Sequence, residues 1–182
     1  IGGISIIGTS GIVRPFSSEA FVNSIRKEIQ VARALGCSGI VINPGQKVKI
    51  TSVPASPIFG QAFIHYGNYI GDTLRLADEE GITHITMGIM IGKAVKLAEG
   101  HLDTHSRNVV MNRDFIIALA DESHCPPANI ARVAEITLAR ELWELFADTP
   151  AFFTLLVDRC MAVCRPLLPH ATLEIMLVPE QA

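Results

Sequence analysis

The sequence predicts an α/β fold, a three-layer, mostly parallel sheet with helices on both faces, and three observations predict it. Short apolar runs alternate with helical periodicities, glycine-containing turns join the two, and the chain has 182 residues of which 49% are hydrophobic and 18% charged. That length and apolar content suit a single domain, residues 1–182, with a sizeable buried core. Three strand–loop–helix units in series indicate a parallel sheet, because parallel neighbours need a crossover long enough to carry a helix. The expected arrangement is Rossmann-like, with no internal repeat, low-complexity tract or second domain.

In chain order, Ile4, Ile6 and Ile7 form an extended start that runs into the small-residue loop Gly8-Thr9-Ser10-Gly11, and Arg14-Pro15 delays helix formation. Ser17 or Ser18 then caps an amphipathic helix over 18–35, whose Phe21, Ile25, Ile29 and Ala32 recur at helical spacing before Gly36. Ser38 to Asn43 is a short apolar strand opening at Pro44-Gly45, and the proline-rich 46–60 stretch reads as surface loop. Ala62 to Tyr66 is a second buried strand. Gly67-Asn68-Tyr69-Ile70-Gly71 turns from it into a helix carrying Leu74, Leu76 and Ala77 up to Gly81. Ile82 to Ile89 is a strand, and Lys93 to Glu99 a short helix closed by Gly100. The last third is mainly helical. Ile130, Ala134, Leu138, Leu142 and Leu145 mark one apolar stripe after Pro126-Pro127, and Phe153, Leu156, Val157, Cys160 and Val163 mark another. Thr172 to Val178, alternating Leu173, Ile175 and Leu177, is a final strand expected at the sheet edge.

Fifteen basic against eighteen acidic residues give a net charge of −3 and an isoelectric point near 6.1. No basic patch interrupts that balance, so nucleic acid is not an expected partner. No uncharged stretch is long enough for a membrane span. The four cysteines, 37, 125, 160 and 164, lack paired metal or disulfide spacing, which indicates reduced, buried thiols and a cytoplasmic setting.

Ligands of open α/β sheets bind beyond the carboxyl ends of the strands, so Asn43-Pro44-Gly45, Gly67-Asn68 and Gly88 to Lys93 are expected on one rim. Gly88 to Lys93 falls one residue short of a P-loop and lacks the following Ser/Thr, which argues against a nucleoside triphosphatase, and no GxGxxG follows a strand. His101 and His105 stand four apart but lack the glutamate of a zinc protease helix, and no metal site is expected. Thr104-His105-Ser106-Arg107 gathers hydroxyls, an imidazole and a guanidinium. Together with Lys93 and Lys96 it is suited to a polyacidic ligand; a plain solvated loop is the alternative.

Three phrases, Gly3-Ile4-Ser5-Ile6-Ile7-Gly8-Thr9-Ser10-Gly11-Ile12-Val13-Arg14-Pro15, Gly67-Asn68-Tyr69-Ile70-Gly71, and Gly92-Lys93-Ala94-Val95-Lys96-Leu97-Ala98-Glu99-Gly100 with Thr104-His105-Ser106, occur in this order. In them the chain closely resembles the CbiD family of cobalt-precorrin-5B (C-1)-methyltransferases of anaerobic cobalamin biosynthesis. The resemblance implies that the chain is the C-terminal part of a longer enzyme with a further N-terminal region. It also implies transfer of a methyl group from S-adenosylmethionine to C-1 of cobalt-precorrin-5B, giving cobalt-precorrin-6A, with cobalt present only inside the substrate.

On this reading His105 is the catalytic candidate. Gly8, Thr9, Ser10, Gly11, Gly67 and Asn68 meet the methyl donor, while Arg14, Lys93, Lys96, Thr104, Ser106 and Arg107 meet the corrinoid carboxylates. The chain departs from the family where Met90 replaces a common histidine and where Val109-Val110-Met111-Asn112-Arg113 replaces an acidic-Ala-Arg sequence. Two other readings stand beside the first: a corrinoid-binding module that depends on the missing region for donor and catalysis, and a likeness of fold alone. By itself the chain is expected to fold, to self-associate through surface left apolar, and not to turn over.

Overall fold

The computed structural model describes residues 17–45, 62–106 and 109–179. The expectations placed on the Ile4 start, the Gly8–Gly11 loop, Arg14, the 46–60 loop and Arg107 lie outside these residues. Helix α1 spans Ser18–Ala34, its first turn capped by the Ser17 side chain, which accepts the Ala20 N–H at 3.2 Å. Strand β1 is Gly39–Asn43 and β2 Phe63–His65. Then come α2, Ile70–Glu79, β3, His84–Met90, and α3, Ile91–Ala98. The remainder comprises α4 (Arg113–Glu122), α5 (Pro127–Arg132), α6 (Leu142–Leu145), α7 (Pro150–Cys164) and β4 (Thr172–Val178).

The four strands form one all-parallel sheet in the order β2-β1-β3-β4, with β3 and β4 in register over seven residues from His84↔Thr172 to Met90↔Val178. Among the described strands β4 lies at one edge, where its alternation places it. Strand periodicity sorts the side chains onto two faces. Ile40, Ile42, Ile64, Ile85, Met87 and Ile89 share one face and one core with the buried residues of the helices, among them Ile25, Ile29, Leu74, Val95, Ile116, Phe152 and Leu156. The opposite face carries a small separate cluster of Val41, Val178, Met90 and Met176, to which none of the described helices contributes.

Among the described residues, therefore, the helices lie in one layer against one face, where the sequence led us to expect two such layers. The connections from β2 to β3 and from β3 to β4 step the same way across the sheet, and right-handed crossovers stepping the same way place their helices on the same side. The step in the other direction, from β1 to β2, belongs to residues 46–61, outside the described set.

The last third departs from its expected stripes. Over 130–145 the chain does not run as one helix: α5 stops at Arg132, Leu138 is extended and 49% exposed, and a 3-10 turn at Ala139–Glu141 leads into α6. Glu141 causes the restart, since one carboxylate oxygen accepts the N–H groups of Thr137 at 2.9 Å and Leu138 at 2.6 Å. The core there is made by Val133, Ile136, Leu142, Leu145 and Phe146. In α7 the buried face is Phe152, Leu156, Cys160 and Cys164, rotated from the predicted one, while Phe153 stacks on Trp143 with ring centroids 4.8 Å apart. All four cysteines are buried thiols outside any disulfide. Helix α4 has no counterpart among the expected elements; Asn112 caps it, its Oδ1 accepting from Asp114 and Phe115 N–H.

Helices α1 to α4 end in the same way. A residue at positive φ (Gly36 at 84°, Gly81 at 78°, Gly100 at 106° and His124 at 55°) closes each, and the next residue bonds five back: Cys37 N–H to Ala32, Ile82 to Ala77, His101 to Lys96 and Cys125 to Ala120.

Asp78, near the end of α2, accepts the backbone N–H groups of His170 at 3.0 Å and Ala171 at 2.9 Å, and the His170 ring at 2.9 Å, tying α2 to the entry of β4. Burial works to raise its pKa, but these hydrogen bonds outweigh it and hold the carboxyl below the ordinary carboxylate range. A carboxyl depressed in the folded state contributes stability above its unfolded pKa, and that contribution is lost as the pH falls through the folded value. Asp78→Ala is expected to cost about 1–3 kcal/mol, because two backbone donors lose their acceptor. It should also flatten the acid limb of stability, as measured by urea unfolding from neutral pH downward.

Candidate functional site: a cleft at the start of the third helix

Strand β3 leads directly into α3, with Met90 at the N-cap position and no side chain capping the first turn. Gly92 lies in that turn, and a Cβ there would sit 3.1 Å from Ala139 Cβ, so glycine lets the 137–139 segment close against the helix. Lys93 and Lys96, one turn apart, project from the same side of α3. After β2 the chain turns at Gly67, whose φ of 59° favours glycine. The Lys93 ammonium straps this turn to α3: Nζ donates to the Gly67 carbonyl and, at 2.7 Å, to Asn68 Oδ1, and lies 5.6 Å from the centre of the Tyr66 ring.

A third segment lies alongside. Thr104 N–H donates to Asn68 O at 3.1 Å, Gly71 N–H to Leu102 O at 3.3 Å, and Tyr69 bridges Asp103. Lys96 Nζ donates to Thr104 O at 3.3 Å. These contacts enclose a cleft of about 520 Å³. One side is polar, with Asn68, Lys93, Lys96, Thr104 and Ser106; the other is apolar, with Met90, Val109, Val110, Met111 and Leu138. Thr104 is only 2% exposed, and among the described residues its Oγ1 has no hydrogen-bond partner. Leaving such a hydroxyl unsatisfied costs about 1–3 kcal/mol.

Burial, reinforced by Lys96 and opposed by Asp103, lowers the Lys93 pKa to about 8. Burial also lowers that of Lys96. A lysine with a depressed folded pKa binds fewer protons folded than unfolded between the two values. Stability from this group therefore rises with pH from about 8 to the ordinary lysine value of 10.5. Urea unfolding across that window is expected to show this rise, and Lys93→Met to reduce it to the smaller part that Lys96 contributes.

Five of the predicted ligand residues thus converge, from three separated segments. Asn68 and Lys93, assigned by sequence to donor and corrinoid respectively, are hydrogen-bonded to each other. Gly67 joins through its carbonyl. His105 stands between Thr104 and Ser106 but does not line the cleft; its N–H donates to Asp103 Oδ1 at 3.0 Å. Gly8, Thr9, Ser10, Gly11, Arg14 and Arg107 lie outside the described residues. His101 and His105 follow the end of α3, so their spacing of four is not one helical face, and His101 Nε2 lies 3.8 Å from Glu99 Oε2. Sequence reasoning missed the apolar wall. Its signal was present in Met90 and Val109-Val110-Met111, the two places where the chain departs from the pattern it resembles.

At the carboxyl ends of β1 and β2 is a second polar pair. The Asn43 side-chain oxygen accepts the Gly45 N–H at 3.2 Å and lies 2.5 Å from His65 Nδ1. Neither residue lines the cleft.

Residues 103–181 match the family described as CbiD, C-terminal domain. Over 99% of its length the chain is 38% identical to the cobalt-precorrin-5B C(1)-methyltransferase of Prosthecochloris aestuarii, spanning 50% of that protein. The chain carries the CbiD C-terminal domain over these residues. Other proteins aligned with it are those of the same name from Geobacillus sp. strain WCH70, 38% identical over 88% of the chain and 45% of the relative, and from Geobacter sp. strain M21, 29% identical over 97% of the chain and 50% of the relative. The chain spans about half the length of these curated relatives. No solved structure matches it. The region matched to the CbiD C-terminal domain begins at Asp103 and so takes in Thr104, Ser106 and most of the apolar wall, while Asn68, Lys93 and Lys96 come from the part before it.

Proposed function

We propose that the chain acts in the S-adenosylmethionine-dependent methylation of cobalt-precorrin-5B at C-1, the step giving cobalt-precorrin-6A in anaerobic cobalamin biosynthesis, and that it supplies the half of the enzyme that holds the corrinoid. The observation that carries this reading is the convergence of Asn68, Lys93, Lys96, Thr104 and Ser106 in one cleft, in a chain aligned along 99% of its length with a relative bearing that name.

S-adenosylmethionine, when bound, supplies the methyl group from a sulfonium centre. The cleft does not fit that donor. Its described lining contains two lysines and no carboxylate, whereas the donor carries a sulfonium and an ammonium charge against a single carboxylate. The same lining fits an acceptor whose arms are carboxylates. The chain's own residues bind and orient: Lys93 fixes the Gly67-Asn68 turn, Lys96 fixes the Thr104 backbone, and the Val109–Met111 wall keeps water from one side of the ligand. Methyl transfer between a sulfonium and an electron-rich carbon depends on such alignment more than on a strong base. His105, outside the lining, acts on this reading through the loop it belongs to.

The test is a pair of titrations on the purified chain, with S-adenosylmethionine and with a cobalt-corrinoid polyacid, beside a methyl-transfer assay on a full-length relative. Corrinoid binding without donor binding, and turnover only in the longer protein, is the expected result. Donor binding alone would reject the division of labour, and a full-length relative devoid of methyl transfer would reject the activity.

A further inference from the structure

The polar end of the cleft gathers three kinds of hydrogen-bond donor, each with a different physical origin. The first turn of α3 presents N–H groups that no side chain caps. Thr104, lining the same cleft and 2% exposed, keeps a hydroxyl without a partner among the described residues. Lys96 uses one N–H on Thr104 O and has two left. Lys93, by contrast, is occupied with Gly67 and Asn68. Asp103, the acid that acts on Lys93, does not line the cleft and accepts the His105 N–H. An uncapped helix start alone would be commonplace. Joined to a buried hydroxyl with no partner among the described residues and to an adjacent ammonium, it brings three kinds of donor together.

We infer that Thr104 Oγ1, Lys96 Nζ and the first turn of α3 form a carboxylate subsite, which takes one acid arm of an otherwise apolar ligand whose body rests on Met90, Val109 and Met111. This rests on the corrinoid reading above only for the identity of the ligand body; the subsite itself requires a carboxylate on an apolar frame. It assigns the cleft to the methyl acceptor and places the donor elsewhere.

The experiment compares two probes on the purified chain by calorimetry: dicyanocobalt cobyrinic acid, with free carboxylates, and its heptamethyl ester, the same macrocycle with every acid masked. The acid is expected to bind at least tenfold more tightly than the ester, and S-adenosylmethionine is expected not to displace it. Thr104→Val and Lys96→Met should each weaken the acid about tenfold and leave the ester unchanged, while Thr104→Ser, which keeps the hydroxyl, retains affinity. Equal binding of acid and ester, no binding of either, displacement by S-adenosylmethionine, or an unchanged Thr104→Val variant would each overturn the subsite. Tight, acid-selective binding beside a full-length relative inactive in methyl transfer would keep the subsite and discard the methylation. Methyl transfer with no preference for acid over ester would do the reverse.

Discussion

Lys93→Met is expected to lower the unfolding free energy by about 1–3 kcal/mol and to weaken corrinoid polyacid binding more than tenfold. The side chain is nearly isosteric, so the loss is not one of volume. What disappears is the donor that satisfies the Gly67 carbonyl and Asn68 Oδ1 together, and with it the strap between α3 and the turn after β2. Because Asn68 O in turn accepts the Thr104 N–H, releasing the turn also releases the wall that carries the Thr104 hydroxyl. Lys93→Arg should not restore either property, since a planar guanidinium cannot place its donors as a rotating ammonium does. Urea unfolding and calorimetric titration of the two variants check this; native affinity in Lys93→Met would show that the turn is held by other contacts.

Gly71→Ala carries the second large effect and touches no cleft residue. A Cβ at Gly71 would lie 2.9 Å from Leu102 Cβ and 3.2 Å from its Cδ1, so backbone must move, because a β-carbon cannot swing aside. Overpacking of this kind costs about 1–3 kcal/mol, offset by up to about 1 kcal/mol of helix propensity gained in α2. Leu102 is two residues from Thr104. Its displacement is expected to lower polyacid affinity several-fold alongside a lower melting temperature. Full affinity in a destabilised variant would show that the 102–104 segment shifts without disturbing the site.

Much of this architecture is legible in the residues themselves. Gly39 to Asn43 and His84 to Met90 are short apolar runs bounded by turn residues, and both are strands. Ser17 before Phe21 and Gly36 after Ala34 frame α1 because a cap and a left-handed stop are local chemistry. The alternation in Thr172–Val178 marks a strand at one edge of the described sheet for the same reason.

What stayed hidden depends on contacts distant in the chain. Periodicity over 130–145 suits a helix, but Glu141 reaches back to the Thr137 and Leu138 N–H groups and splits it. The buried face of α7 is chosen by its packing on α3 and β4, and a helix so apolar offers more than one stripe to choose from. At the site, hydroxyls and lysines were recognisable by type. That Lys93 serves the Gly67-Asn68 turn more than a ligand follows only from a contact 26 residues away in sequence.

The left-handed stop shared by the first four helices has an engineering consequence. Three of them use glycine, whereas the fourth forces His124, a residue with a Cβ, to a φ of 55°. Left-handed geometry costs a non-glycine residue about 1–2 kcal/mol, of which glycine's greater freedom in the unfolded chain would give back about 0.5–1 kcal/mol. The protein therefore holds an unused reserve of thermostability at one position. His124→Gly should raise the melting temperature by about 2 °C. A thermal melt that drops instead would mean that the His124 side chain makes up for its own strain. A rise would provide a sturdier background in which harsher substitutions around the cleft can be studied without unfolding the chain.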